Sequence, residues 1–316
     1  MSIQLVITKL LVRLSGSKRI TGLPKDKMLK QIRRRNKLNR FFIPKDGEFI
    51  YRDEKVRVMD LDGAAGNDRQ PVPSEEFHCL AIRHKNKAKR SVLCVYGGGL
   101  LLAPPPMFVG FAKKMAANTG ADVWFPYYPL CDEYTIRDSV RMLQQVYDAM
   151  CREYEDVRWY GYSSGGALLL LLGAYLNENN KPLPMPEKLV LISPGGIPST
   201  EEEWEKMQSL NSKDIMLSSQ YMKTIQPLLS HGNTTIPKWM QSCEGADFSG
   251  FPETWIYYGT SEVLSVKAAA YDEMLKKAGV KHHLKMAKDM PHCYCATVFF
   301  PEAREDYEET MRILRE

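Results

Sequence analysis

From about residue 90 the chain alternates between short aromatic and β-branched runs and longer segments of helical periodicity, and few folds accept that alternation. Strand-like runs fall at 91–96 (SVLCVY), 122–126 (DVWFP), 157–161 (VRWYG), 188–193 (KLVLIS), 254–258 (TWIYY) and 280–286 (VKHHLKM). Residues 107–118, 135–153, 164–177, 265–278 and 301–315 read as helices; Val140, Leu143, Val146 and Met150 make one apolar stripe in the second. Parallel strands need such crossovers, so the pattern predicts an α/β fold with a mostly parallel central sheet flanked by helices. Runs at 48–52, 56–60 and 77–83 have no helix between them and are expected to be antiparallel. In sheets of this kind chemistry collects just past the carboxyl ends of the strands.

Residues 197–250 break the rhythm with short helical patterns and no convincing strand, which predicts a cap inserted into a core of 46–196 and 251–316. Residues 1–45 differ in charge. They hold 13 Lys and Arg against one acid, Asp26, a net +12, so a chain of +5 overall carries −7 elsewhere. Their first stretch, MSIQLVITKLLVRL, is interrupted by Lys9 and Arg13, falls short of the roughly 20 residues of a membrane span, and lacks the marks of a signal peptide. It reads as an amphipathic helix that packs on the body or rests on a membrane surface. The basic run KDKMLKQIRRRNKLNR has no interleaved aromatics, so a nucleic-acid partner is not expected, whereas a solvated face and peripheral membrane contact both stay open. Homodimerisation is also left open. The seven cysteines (79, 94, 131, 151, 243, 293 and 295) are odd in number and have no C-x-x-C spacing, which argues against a disulfide scaffold or zinc finger and for a reducing, cytoplasmic setting.

The strand at 157–161 runs into Gly161-Tyr162-Ser163-Ser164-Gly165-Gly166 and then into the apolar helix ALLLLLGAYL. A G-x-S-x-G between strand and helix is the setting of a nucleophile elbow, which makes Ser163 the candidate nucleophile. At Ser164 the backbone N–H matters and the hydroxyl is not expected to. Gly97, Gly98 and Gly99 also follow a strand and suit a cluster of amide donors for an oxyanion. No phosphate-binding G-x-x-x-x-G-K-[ST] or G-x-G-x-x-G is present. Of the six histidines, His78, His84, His282 and His283 belong to strand-like runs and His231 to the insertion. His292 follows the last strand and is the best base by position. Cys293 and Cys295 beside it read as small buried residues. Glu262, just past the strand 254–258, is the candidate acid; Asp289, three residues from His292, is poorly placed for it. The order Ser163, Glu262, His292 is that of a Ser-acid-His triad with each member after a strand.

On these residues the chain resembles α/β hydrolases of the hormone-sensitive-lipase-like esterase family over most of 45–316. The resemblance rests on the Gly-Gly-Gly loop, the elbow, GTSEVL and MPHC. It implies Ser163 as nucleophile, His292 as general base and then acid, Glu262 as its orienting partner, and an oxyanion hole of the Gly98, Gly99 and Ser164 amides. It also implies a cap formed by 1–45 with 197–250, short-to-medium acyl esters as substrates, and neither metal nor organic cofactor. Tyr96, Gly97 and Tyr162 are assigned to the substrate-binding wall. The chain departs from the pattern where Tyr96 replaces the His before the glycines and where Tyr162-Ser163-Ser164 replaces Asp-Ser-Ala. Tyr96 either braces the loop through its hydroxyl or donates to the oxyanion, as a tyrosine does in prolyl-oligopeptidase-type peptidases; three glycines favour bracing. Trp204, Met216, Tyr221 and Trp239 suggest an aromatic, apolar pocket under the cap, although packing explains such residues as readily. An aminopeptidase or amidase on the same triad, and a non-catalytic binding protein on a hydrolase scaffold, are the alternatives.

Overall fold

The computed structural model describes residues 2–63, 72–86, 88–179 and 183–316. The strands are β1 (Ile50–Asp53), β2 (Val56–Leu61), β3 (Val72–Phe77), β4 (Cys79–Arg83), β5 (Arg90–Val95), β6 (Asp122–Pro126), β7 (Asp156–Tyr162), β8 (Leu189–Ile192), β9 (Thr254–Gly259) and β10 (His282–Ala287). Eight of them form one sheet in the order β1-β4-β6-β5-β7-β8-β9-β10. The pairings β1–β4 and β4–β6 are antiparallel, and every pairing from β6 to β10 is parallel. All residues of β6 and β8 and nearly all of β5 and β7 are buried, as strands covered on both faces should be.

The crossovers are α4 (Pro106–Thr119), α5 (Ile136–Glu153), α6 (Ser164–Glu178) and α10 (Ala268–Lys277), and α11 (Arg304–Arg315) follows β10. Helix α5 begins at a capping box in which the Thr135 and Asp138 side chains exchange hydrogen bonds with each other's backbone amides. Its stripe of Val140, Leu143, Val146 and Met150 is fully buried. Strand β3 was not expected. With β2 it forms a separate two-stranded sheet, and its own sequence, VPSEEF, carries a proline and two glutamates that give no alternating apolar signal.

Two helical groups lie outside this core. The N-terminal one is α1 (Ile3–Leu14), α2 (Ser17–Thr21) and α3 (Lys25–Asn36); the other, between β8 and β9, is α7 (Glu201–Leu210), α8 (Gln220–Ser230) and α9 (Trp239–Ser242). They are tied together. The Lys18 ammonium donates to the carbonyls of Asn211 and Asp214, and the Ser218 amide donates to Thr21 Oγ1 at 3.0 Å.

Candidate active site

The turn from β7 into α6 holds Ser163 at φ 55°, ψ −127°, a conformation that costs a non-glycine residue strain and is typical of functional turns. The surrounding packing explains the neighbouring glycine: a Cβ on Gly165 would lie 2.1 Å from the Val95 carbonyl oxygen. Helix α6 therefore starts pressed against the end of β5, and Ser163 projects from its amino end, where the helix dipole favours negative charge.

Three side chains from three strand ends meet there. His292 Nε2 lies 2.9 Å from Ser163 Oγ, and His292 Nδ1 lies 2.5 Å from Glu262 Oε2. Glu262 is fully buried, and its second oxygen accepts from the Gly259 amide (2.7 Å) and the Ser193 hydroxyl (2.8 Å). Ser193 Oγ in turn accepts from the Cys293 amide at 3.0 Å. Ser193 thus joins the loop of Glu262 to the loop of His292. Burial acts against a charged His292, but the Cys293 sulfur and the Glu262 carboxylate outweigh it and hold the imidazole well above its ordinary pKa.

The remaining histidines have structural partners: His78 with Asp53, His84 with the Ala116 carbonyl, His231 with the Cys131 carbonyl, His282 with Asp272 and His283 with Glu253. Asp289 is exposed; its carbonyl accepts from Lys9 and its amide donates to Thr260. Cys295 is buried as expected. Cys293 is not: it is half-buried, with its sulfur 3.4 Å from His292 Nε2. Among the described residues no group of three or more His, Cys, Asp or Glu side chains is placed to hold a metal ion.

The glycine loop after β5 requires two corrections. The Gly98 amide donates to Ser164 Oγ at 3.1 Å, so it is not directed freely at the site, and the hydroxyl at 164 has a role that the sequence did not suggest. That hydroxyl also lies 3.4 Å from Tyr128 Oη, which donates to the Tyr96 carbonyl at 3.1 Å. The amides of Gly99 and Ser164 have no hydrogen-bond partner among the described residues. Gly99 has φ 61°, and a Cβ there would lie 2.2 Å from Tyr221 Oη, which donates to the Gly99 carbonyl. Tyr96 is not part of the substrate wall. It is buried with its ring stacked on Tyr128 (centroids 4.4 Å apart) and packed on Phe125, so it supports the loop from beneath through its ring and carbonyl.

Gly97 and Tyr162, with Ser163 and His292, line a cavity of about 640 Å³. Further walls come from α1, α2, α3, α4 and α8 and from residues 294–300, and are mostly apolar; Ile20, Ile32, Met222, Ile225 and Leu229 all line it. Of the four cap residues suggested as pocket lining, Met216 and Tyr221 line it, and Trp204 and Trp239 do not.

Residues 92–296 match the family described as the alpha/beta hydrolase fold. An esterase of Acinetobacter venetianus is 22% identical over 262 residues, covering 79% of this chain and 78% of that one. An esterase of Gibberella moniliformis is 21% identical over 253 residues, 77% of each. Among solved structures, an esterase from the bacterial hormone-sensitive lipase family superposes with a TM-score of 0.71 at 19% identity, over 100% of this chain and 98% of that one. EstE5 soaked with p-nitrophenyl butyrate superposes at 0.73 and 21%, with the same coverage. These likenesses agree with the resemblance drawn from the elbow and the glycine loop, and with the family match over most of its length the chain belongs to the α/β-hydrolase fold family.

Proposed function

We propose that the protein is a serine carboxylesterase that hydrolyses short-to-medium acyl esters through an acyl-enzyme on Ser163, His292 and Glu262. The observation that carries this reading is the continuous relay from the Ser163 hydroxyl through the imidazole to a buried, doubly supported carboxylate. His292 Nε2 takes the hydroxyl proton as Ser163 Oγ attacks the ester carbonyl. Glu262 accepts from Nδ1 and stabilises the imidazolium. The Gly99 and Ser164 amides hold the oxyanion, His292 returns the proton to the departing alcohol, and water cleaves the acyl-enzyme by the same steps. The esterases that the chain resembles support an ester as substrate. So does the wall: among the described residues no Asp or Glu lines the cavity, so none there offers a carboxylate to the ammonium group an aminopeptidase substrate presents.

In this reading 1–45 and 197–250 form one cap over the acyl pocket, supported by the Lys18 bonds that join them and by the lining residues both supply. The cysteines are all unpaired, which fits a reducing, cytoplasmic setting. Ser163→Ala should lower turnover of p-nitrophenyl butyrate by about 10³- to 10⁶-fold. Unchanged turnover would remove Ser163 from the mechanism.

A further inference from the structure

Helix α1 carries its apolar stripe on the wrong side for a helix of a free-standing globular protein. Ile3, Val6, Ile7, Leu10, Leu11 and Leu14 follow helical spacing and are between 50% and 76% exposed, while the opposite face holds the buried Leu5. Single exposed leucines are ordinary; six on one stripe are an uncovered surface. The helix is held against the body in that orientation by Leu5, by Lys9 donating to the Asp289 carbonyl, and by Ser2 bonding Glu302.

Two further observations say what covers the stripe. Exposed Arg13 lies on α1 itself, and exposed Arg19, Lys27, Lys30 and Arg34 follow on α2 and α3, within a segment of net +12. A second copy of this chain would bring a segment of the same charge along with its own stripe. A phospholipid surface with anionic headgroups brings the opposite one. The stripe also reaches the cavity mouth, because exposed Leu11 lines the cavity together with exposed Met107 and Phe299. Among the described residues no helix is long and apolar enough to cross a membrane, so the contact is one of lying on the surface.

We propose that α1 docks the protein on an anionic phospholipid surface, with Ile3, Val6, Ile7, Leu10 and Leu14 at the boundary between headgroups and acyl chains and the basic residues of α1–α3 against the headgroups. This holds whatever reaction the cavity performs. The test is co-sedimentation of the full chain with vesicles of phosphatidylglycerol and phosphatidylcholine, and with phosphatidylcholine alone, at low and high salt. Binding should be about tenfold or more tighter to the anionic vesicles and should weaken with salt. Ile7→Gln/Leu10→Gln/Leu14→Gln should abolish it without altering the far-ultraviolet circular dichroism, and Lys27→Gln/Lys30→Gln/Arg34→Gln should flatten the salt dependence. As a check that needs no loss of function, Leu10→Trp should emit at shorter wavelength on anionic vesicles and be quenched by brominated lipid. The proposal is overturned if the wild-type chain stays in the supernatant, if the triple glutamine variant binds as well as wild type, or if the Trp spectrum does not move. It is also overturned if the chain forms dimers that the triple variant dissociates while vesicles capture neither.

Discussion

His292 lies between a carboxylate and a thiol, and both favour its charged form over the opposing effect of burial. A base must be neutral to work, so a raised pKa places the acid limb of the pH profile of kcat/KM above the ordinary histidine value, with activity rising as pH passes through it. Glu262→Gln removes one source of the shift. The limb should move to lower pH while kcat falls by about 10²- to 10⁴-fold; a limb that stays in place would mean that the carboxylate does not set the base. Ser164 gives a sharper case. Its hydroxyl engages the Gly98 amide, one of the three donors the family resemblance assigns to the oxyanion. We expect Ser164→Ala to free that amide and raise kcat several-fold with KM unchanged, and a fall in kcat would mean that the hydroxyl positions the loop. The meeting of Ser163, Glu262 and His292 was legible because each sits in a local signature just past a strand. Ser193 and Tyr128 were not, because their contacts span tens of residues; nor was the Cys293 sulfur, because adjacency to His292 does not say that it turns toward the imidazole. Tyr96 was misplaced for a related reason: adjacency to the glycine loop does not say which face of a strand end a side chain takes.

Among the elements, α7 depends on one buried charge. Lys267 is fully buried, and its ammonium donates to both Glu203 oxygens, at 3.0 and 3.1 Å, and to Ser199 Oγ. Glu203 also accepts from the Ser199 amide in the first turn of the helix. Glu203→Ala leaves the ammonium buried without its counter-charge, which should cost about 3 kcal/mol in urea unfolding; a loss within experimental error would mean that Lys267 finds water or another acceptor. Asp214 supplies a second tie by accepting from the Val263 amide, next to Glu262. Neither link could be read from sequence, where 197–250 showed only helical patterns. The parallel strands β5 to β9 were legible because burial on both faces makes them largely continuous apolar runs. Strand β3 was not, since its pairing with β2 comes from tertiary placement.

For the whole molecule, the distribution of apolar surface is what links the parts. The cavity is far roomier than an acetyl group needs, and its wall is almost entirely apolar. Each methylene buried there contributes about 0.8 kcal/mol, roughly fourfold in kcat/KM. Across p-nitrophenyl esters, kcat/KM should therefore climb from acetyl toward octanoyl before levelling, and a steady fall from acetyl onward would mean that the acyl chain lies elsewhere. If Ser163 is the nucleophile within the relay, labelling the intact protein with a fluorophosphonate and mapping the adduct by peptide mass spectrometry should give one adduct, on Ser163, with hydrolysis lost in proportion. An adduct on any other residue, or full hydrolysis by protein labelled at Ser163, would rule that role out.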